Sequence, residues 1–229
     1  MNKNLDDLME KIEYNFKDQS ILLTALTHRS FAFEHAAMNP EHNERLEFLG
    51  DAVLELATTD FLYRNYGEKS EGEMTKIRAS LVCEQSLAMD AKTINLPDFI
   101  YLGKGEEMTD GRNKDSIVSD CLESLIGAIY IDGGISKATT FINNFILDNI
   151  ESKALFHDSK SILQERVQEG KLGTVTYVIV DAKGPDHDKT YYVEARLDDK
   201  VIGKGVGKTK KRAEQQAAYN ALSNNNNAK

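Results

Sequence analysis

The stretch Asn43–Asp51, NERLEFLGD, places Glu44, Glu47 and Asp51 in an otherwise apolar segment. Carboxylates at i, i+3 and i+7 share one face of a helix, and Leu46, Leu49, Val53 and Leu56 mark the opposite face. Like charges one turn apart cost a helix about 0.2–0.5 kcal/mol per pair, so the stripe calls for a counter-charge. A divalent cation supplies one. The segment DSIVSDCLESLIGAIY repeats the anomaly, with Asp120 and Glu123 three residues apart among Ile117, Val118, Leu122, Leu125 and Ile126.

If the two helices pack, Glu47 and Asp51 face Asp120 and Glu123. Left buried and unpaired, such charges would cost several kcal/mol each, whereas two Mg2+ ions would neutralise four of them. All-oxygen ligands suit Mg2+, with Mn2+ as a substitute, better than zinc. Such a site can activate water, hold an in-line phosphate and stabilise the entering and leaving oxygens, which is phosphodiester hydrolysis without a nucleophilic side chain. The alternative is a solvated helix face paired with Arg45, Lys76 or Arg78. One acid pair alone favours that alternative; two pairs in apolar helices favour the metal.

With 229 residues and 41% hydrophobic content, the chain can fill one large core or two modest ones. No stretch approaches the roughly 20 apolar residues of a membrane span. The start, MNKNLDDLMEKIEYNF, is charged where a signal peptide would be apolar, so a soluble, cytoplasmic protein is expected. Cys83 and Cys121 sit in apolar patterns without C-x-x-C spacing and read as reduced core thiols. Charge is uneven along the chain. Residues 158–229 carry 13 Lys and Arg against 10 Asp and Glu, a net of +3, which leaves 15 against 27 and a net of −12 for residues 1–157. A basic second part favours a polyanionic partner that the overall charge of −9 would disfavour.

The first part reads as helix after helix, with helical apolar spacing in 19–26, 44–66, 73–92, 115–131 and 135–150 and loops at Asn39-Pro40, Gly67–Ser70, Gly103–Gly111 and Gly133-Gly134. From Thr174 the pattern alternates, through VTYVIVDA, KTYYVEARL and KVIGKGVGK, as three short strands do. Helices at about 160–170 and 209–222 flank them. The expected organisation is an all-α domain at 1–152, a linker at 153–158, and at 159–226 an α+β domain of α-β-β-β-α order with a three-stranded antiparallel sheet.

NERLEFLGDAVLEL resembles the signature of the ribonuclease III family. THRSF at 27–31, EGEMTKIRASLV at 71–82 and SDCLESLIGAIYIDGG at 119–134 resemble its other blocks in order and spacing. The resemblance implies that Glu47, Asp51, Asp120 and Glu123 bind metal, with Asp51 and Glu123 catalytic. It also implies that Glu44 and Glu71 engage RNA in the processing valley. Glu55 continues the acidic stripe but matches no functional position, so it reads as structural. His28, beside Arg29 at a helix end, reads as hydrogen-bonded structure more than as a general base. LGKGEEMTDGRNK lacks the G-x-x-x-x-G-K-[ST] form, so no nucleotide cofactor is expected. It reads as a mobile loop from which Lys104, Arg112 and Lys114 meet phosphates.

The second part is similar to the double-stranded RNA-binding domain, which reads successive minor grooves over about 16 base pairs by shape and 2′-hydroxyls. The matching positions are Ser161, Gln164 and Gln168 on its first helix, His187 in the loop GPDHD, and Lys208, Lys210 and Lys211 at its last helix. Cations clustered at a helix N-terminus oppose the dipole unless a polyanion sits nearby. The resemblance further implies a homodimer whose two sites each cut one strand of duplex RNA, leaving 5′-phosphate and 3′-hydroxyl ends, with roles in ribosomal RNA processing and in messenger RNA maturation and turnover. Two rivals are a duplex-binding protein with an inactive acidic site and a metal-dependent phosphohydrolase of small nucleotides.

Overall fold

The computed structural model describes residues 4–38, 40–148, 150–185 and 189–226. It divides into two compact units, Met1–Asp148 and Asn149–Lys229.

The first unit is helical: α1 Leu5–Lys11, α2 Gln19–Leu26, α3 Arg29–Glu34, α4 Glu44–Asn65, α5 Glu71–Leu81, α6 Glu84–Thr93, α7 Lys104–Met108 and α8 Asp115–Phe145. Its only strand-like pairing among the described residues is an isolated bridge between Thr27 and Tyr101. The core is built on α4 against α8, and two glycines decide how closely they approach. A Cβ on Gly50 would stand 1.8 Å from the carbonyl oxygen of Glu123, and one on Gly127 would stand 2.2 Å from that of Leu46. The two backbones therefore touch. Val53, Leu54 and Leu62 of α4 and Leu122, Leu125 and Ile126 of α8 are buried.

Several sequence expectations shift here. Leu56, expected on the apolar side of α4, is 61% exposed, and Gly50, Val53, Leu54, Ala57, Thr58 and Leu62 form the buried face. Helices need small residues where backbones meet, which a search for large apolar side chains does not register. The apolar run 73–92 is two helices, α5 and α6. At Cys83 the chain turns extended, and the Ser86 hydroxyl donates to the Ser80 carbonyl at 2.6 Å, satisfying the end of α5 with a bond the apolar pattern conceals. The pattern 135–150 ends at Phe145, and the chain bends at Gly134, where φ is 78°. The Gly103–Gly111 segment contains α7. The Glu34 carboxylate accepts from the amides of Lys104 at 2.8 Å and Gly105 at 3.3 Å, a cap supplied from far away in sequence. Asp132 near the bend accepts from the Tyr14 hydroxyl at 2.6 Å and from the amides of Lys17 and Asp18 at 3.1 Å each, fastening the chain after α1.

The second unit comprises α9 Ile150–His157, α10 Ser159–Glu169, β1 Val175–Lys183, β2 Thr190–Leu197, β3 Lys200–Gly207 and α11 Lys210–Asn226. The sheet is antiparallel in the order β1-β2-β3, with Val193 opposite Ile179 on one side and Gly205 on the other. Leu163 and Val167 of α10 pack with Ala218, Ala221 and Leu222 of α11. Residues 153–158, expected as a linker, mostly fall in α9, because Phe156 and Leu155 give that segment an apolar side. The Phe156 ring meets Tyr219 edge-on at 5.4 Å, and the Gln215 amide donates to the Phe156 carbonyl at 3.1 Å.

Gly50→Ala is expected to force α4 from α8, and overpacking of this kind costs about 1–3 kcal/mol. Thermal unfolding checks it; a melting temperature equal to the parent's would mean the helices do not meet at that backbone.

Candidate active site

Because Gly50 and Gly127 let the helices touch, the residues one to two turns before them are brought face to face. Glu47 of α4 and Asp120 and Glu123 of α8 each offer a carboxylate oxygen, all within 4.8 Å of one another. All three side chains are half-buried. Asp51 lies one turn beyond Glu47 and is exposed, outside this group of three but close enough for its charge to act on Glu47 and Glu123. Among the described residues no lysine or arginine pairs with the three. The candidate counter-ion Arg78 instead bonds Glu55 at 3.0 Å and the Thr59 hydroxyl at 2.9 Å. Glu55 is thus held away from the cluster by an ion pair.

The electrostatics follow from this crowding. Burial, then the charges of Asp51, Asp120 and Glu47, push the Glu123 carboxyl up to about 8. Burial followed by Asp120, Glu44 and Asp51 raises Glu47, and burial with the charge of Glu84 raises Asp120 against a lowering bond from Ser119. The site holds more negative charge than the protein itself compensates. Oxygen-only donors at this spacing fit a hard divalent cation.

A cavity of about 610 Å3 adjoins the cluster, lined by Glu47 and Asp120 together with His28, Arg29, Glu44, Glu106, Lys114 and Ser116. Arg29 bonds Glu44 at 3.1 Å. His28 caps α3, its ring nitrogen accepting from the Ser30 amide at 3.3 Å, and burial lowers its proton affinity. Glu71, at the start of α5, accepts from the Thr75 hydroxyl at 3.1 Å and does not line this cavity. Arg112, expected to face phosphate, turns inward to the carbonyls of Pro97 and Ile100 and pairs with Glu107. Sequence reading missed Glu84, Glu106 and the two glycines. The signal for the glycines was present as a Gly one turn after the acids in both LEFLGD and DCLESLIG.

In the second unit Ser161, Gln164 and Gln168 form one exposed face of α10, opposite buried Leu163 and Val167. Lys208, Lys210 and Lys211 are exposed at the start of α11, where Lys210 Nζ lies 5.9 Å over the Tyr191 ring. The close approach of α11 to the sheet again depends on glycine, since a Cβ on Gly205 would stand 2.1 Å from the Ala213 carbonyl oxygen. His187 lies outside the described residues.

A family model described as Ribonuclease-III-like matches residues 18–150, and one described as the double-stranded RNA binding motif matches residues 159–225. The chain belongs to the ribonuclease III family. It is 46% identical to Ribonuclease 3 of Caldanaerobacter subterraneus subsp. tengcongensis, covering 94% of this chain and 96% of the relative. It is 43% identical to Ribonuclease 3 of Halalkalibacterium halodurans, covering 95% and 83%. The crystal structure of the nuclease domain of ribonuclease III from Campylobacter jejuni is similar at 42% identity and a TM-score of 0.59, covering 65% of this chain and 97% of that one. Family membership and the appended module make this an endoribonuclease of double-stranded RNA. No helix among the described residues is long and apolar enough to cross a membrane.

A carboxyl raised on folding binds its proton more tightly in the native state, so its contribution to stability is present at low pH and is lost as pH rises through the folded value. For Glu123 that window runs from the ordinary 4.5 to about 8. Metal-free protein is therefore expected to lose stability between these values, and Glu123→Gln to flatten the loss. Urea midpoints across pH 5–8.5 measure it, and parallel curves for parent and variant would contradict the assignment.

Proposed function

We propose that this ribonuclease III family member hydrolyses phosphodiester bonds of double-stranded RNA with water as nucleophile and Mg2+ as its cofactor, Mn2+ substituting. The observation that carries the reading is the convergence of the Glu47, Asp120 and Glu123 carboxylates, with which no lysine or arginine pairs among the described residues. These three would hold the metal, with Asp51 completing the set from the exposed turn beyond. A divalent ion held there would supply charge stabilisation and lower the proton affinity of water. Asp51 and Glu123 are the residues assigned to catalysis. Asp51, exposed one turn beyond Glu47, would help orient the attacking water, while Glu123, its carboxyl raised by burial and then by its acidic neighbours, would have to be deprotonated to serve as a metal ligand. Glu44 and Glu71 are assigned to the valley that receives RNA. The products are 5′-phosphate and 3′-hydroxyl ends, and ribosomal and messenger RNA precursors in the cytoplasm are the substrates.

The nuclease domain is assigned to 1–152 and the duplex-binding domain to 159–226, where the α10 face of Ser161, Gln164 and Gln168 meets 2′-hydroxyls and Lys208, Lys210 and Lys211 meet phosphates. His187 is assigned to the same surface from sequence. A homodimer would present two sites to antiparallel strands alike. Support comes from the exposed apolar stripe of α4, where Phe48 is 82%, Leu56 61% and Tyr63 75% exposed. A second structure of the Campylobacter jejuni nuclease domain, 42% identical to this chain, is described as flexible in a region involved in dimer formation. Exposed apolar stripes of this size mark interaction surfaces.

Incubated with duplex RNA, single-stranded RNA and a nucleotide panel, the protein is expected to cut the duplex only, in Mg2+ and not in EDTA, and to sediment as a dimer. Asp51→Asn should slow cutting by at least about a hundred-fold, whereas Glu55→Gln should stay within about three-fold. Binding without cutting would favour an inactive duplex-binding protein, nucleotide turnover would favour a phosphohydrolase, and a monomer would remove the dimer.

Replacing Lys210 and Lys211 with Ala is expected to weaken duplex affinity and flatten its log-log salt dependence by about one unit per lost phosphate contact. An unchanged slope would place both lysines away from RNA.

A further inference from the structure

The cavity beside the acid cluster holds two cations that the hydrolytic reading does not use. Each is held by a carboxylate of its own. Arg29 Nη1 stands 3.1 Å from Glu44 Oε1, and the Lys114 ammonium pairs with Glu106 and donates to the Thr109 hydroxyl at 3.1 Å. These pairs do not bury their cations: the Arg29 and Lys114 side chains remain 58% and 43% exposed. Exposed ion pairs are worth about 0–1 kcal/mol, so either cation can exchange its glutamate for another anion at little cost. A phosphodiester oxygen, accepting a charge-assisted bond, is such an anion.

The neighbouring Arg112 shows what a structural cation in this segment looks like. It is turned inward onto two backbone carbonyls and is partly buried. Lys114 is held by side chains alone, at the start of α8, in the wall of a cavity that also contains Glu47 and Asp120. An anion bound by Lys114 and Arg29 would thus sit next to the place where the scissile phosphate is held.

We propose that this cavity is a phosphate subsite: Lys114 and Arg29 take up a phosphodiester adjacent to the scissile one, exchanging Glu106 and Glu44 for it, and so set the register of the cut strand over the carboxylates. The inference rests on the reading of the cluster as the duplex-cutting centre. In the free protein Glu106 and Glu44 keep the cations extended into the cavity. The subsite is specific for a backbone anion and indifferent to base identity, because its ligands are cations.

The test pairs protein variants with altered RNA. A duplex carrying a neutral methylphosphonate at either phosphate flanking the cut removes the charge from one side, and Lys114→Met removes it from the other. In single-turnover cleavage each change alone is expected to slow the parent reaction about ten-fold. Together they should slow it no further than either alone, because both delete one contact. Lys114→Arg should restore the rate. Duplex binding in Mg2+, measured on an Asp51→Asn background to prevent cutting, should lose about one unit of log-log salt slope with Lys114→Met and regain it with Lys114→Arg. Glu106→Gln, which frees the ammonium, should tighten binding two- to three-fold at low salt.

Rates and slopes for Lys114→Met equal to those of its background would overturn the proposal, as would additive effects of the two changes. If Lys114→Met does not fold, the parent's response to the methylphosphonates decides, and no response at either flanking position overturns it. A parent that cuts no duplex would end the functional reading instead, and the binding slopes would still decide the subsite.

Discussion

Everything in the nuclease unit depends on backbone meeting backbone where α4 crosses α8. Gly50 lies against the carbonyl of Glu123, and Gly127 lies against that of Leu46. A side chain at either position would meet the facing backbone and push the helices apart, and with them the carboxylates of Glu47, Asp120 and Glu123. The same two residues that permit the packing therefore set the spacing of the acids.

That closeness has an electrostatic consequence. Half-burying three carboxylates whose oxygens lie within 4.8 Å of one another raises all of them, Glu123 to about 8, and among the described residues no lysine or arginine pairs with them. The protein accepts a locally unfavourable arrangement in a well-packed helix pair, as functional sites commonly do. Cations are present nearby but are committed elsewhere: Arg78 to Glu55 and Thr59, Arg112 to backbone carbonyls, and Arg29 and Lys114 to glutamates around the adjoining cavity. The negative potential of the cluster is thus preserved by a ring of satisfied ion pairs rather than quenched by a direct one.

Much of this was legible in the chain. The acids stood out because charge at helical spacing in an apolar stretch has few structural explanations, and the strands stood out because period-two alternation of Val, Tyr and Ile has no helical reading. What stayed hidden was relational. Gly50 and Gly127 look like helix-weakening residues until the partner backbone is in view. The break at Cys83 is satisfied by a hydroxyl bond from Ser86, α7 is capped by Glu34, and the short apolar side of α9 finds its partners in Tyr219 and Gln215, so apolar spacing alone reveals none of them. Leu56 escapes for a related reason: hydrophobicity alone does not distinguish a core position from an exposed apolar stripe.

The Asp132 staple bears on how the nuclease unit comes into being on the ribosome. Its partners, the Tyr14 hydroxyl and the amides of Lys17 and Asp18, precede it by 114 to 118 residues. At synthesis rates of roughly 5–20 residues per second, that separation is about 6–24 s before this staple can close. Until the last long helix emerges, the segment after α1 lacks this fastening, although the end of α2 can already pair with Tyr101. The second unit closes its sheet through hairpins of neighbouring strands and can begin to assemble as soon as it leaves the exit tunnel.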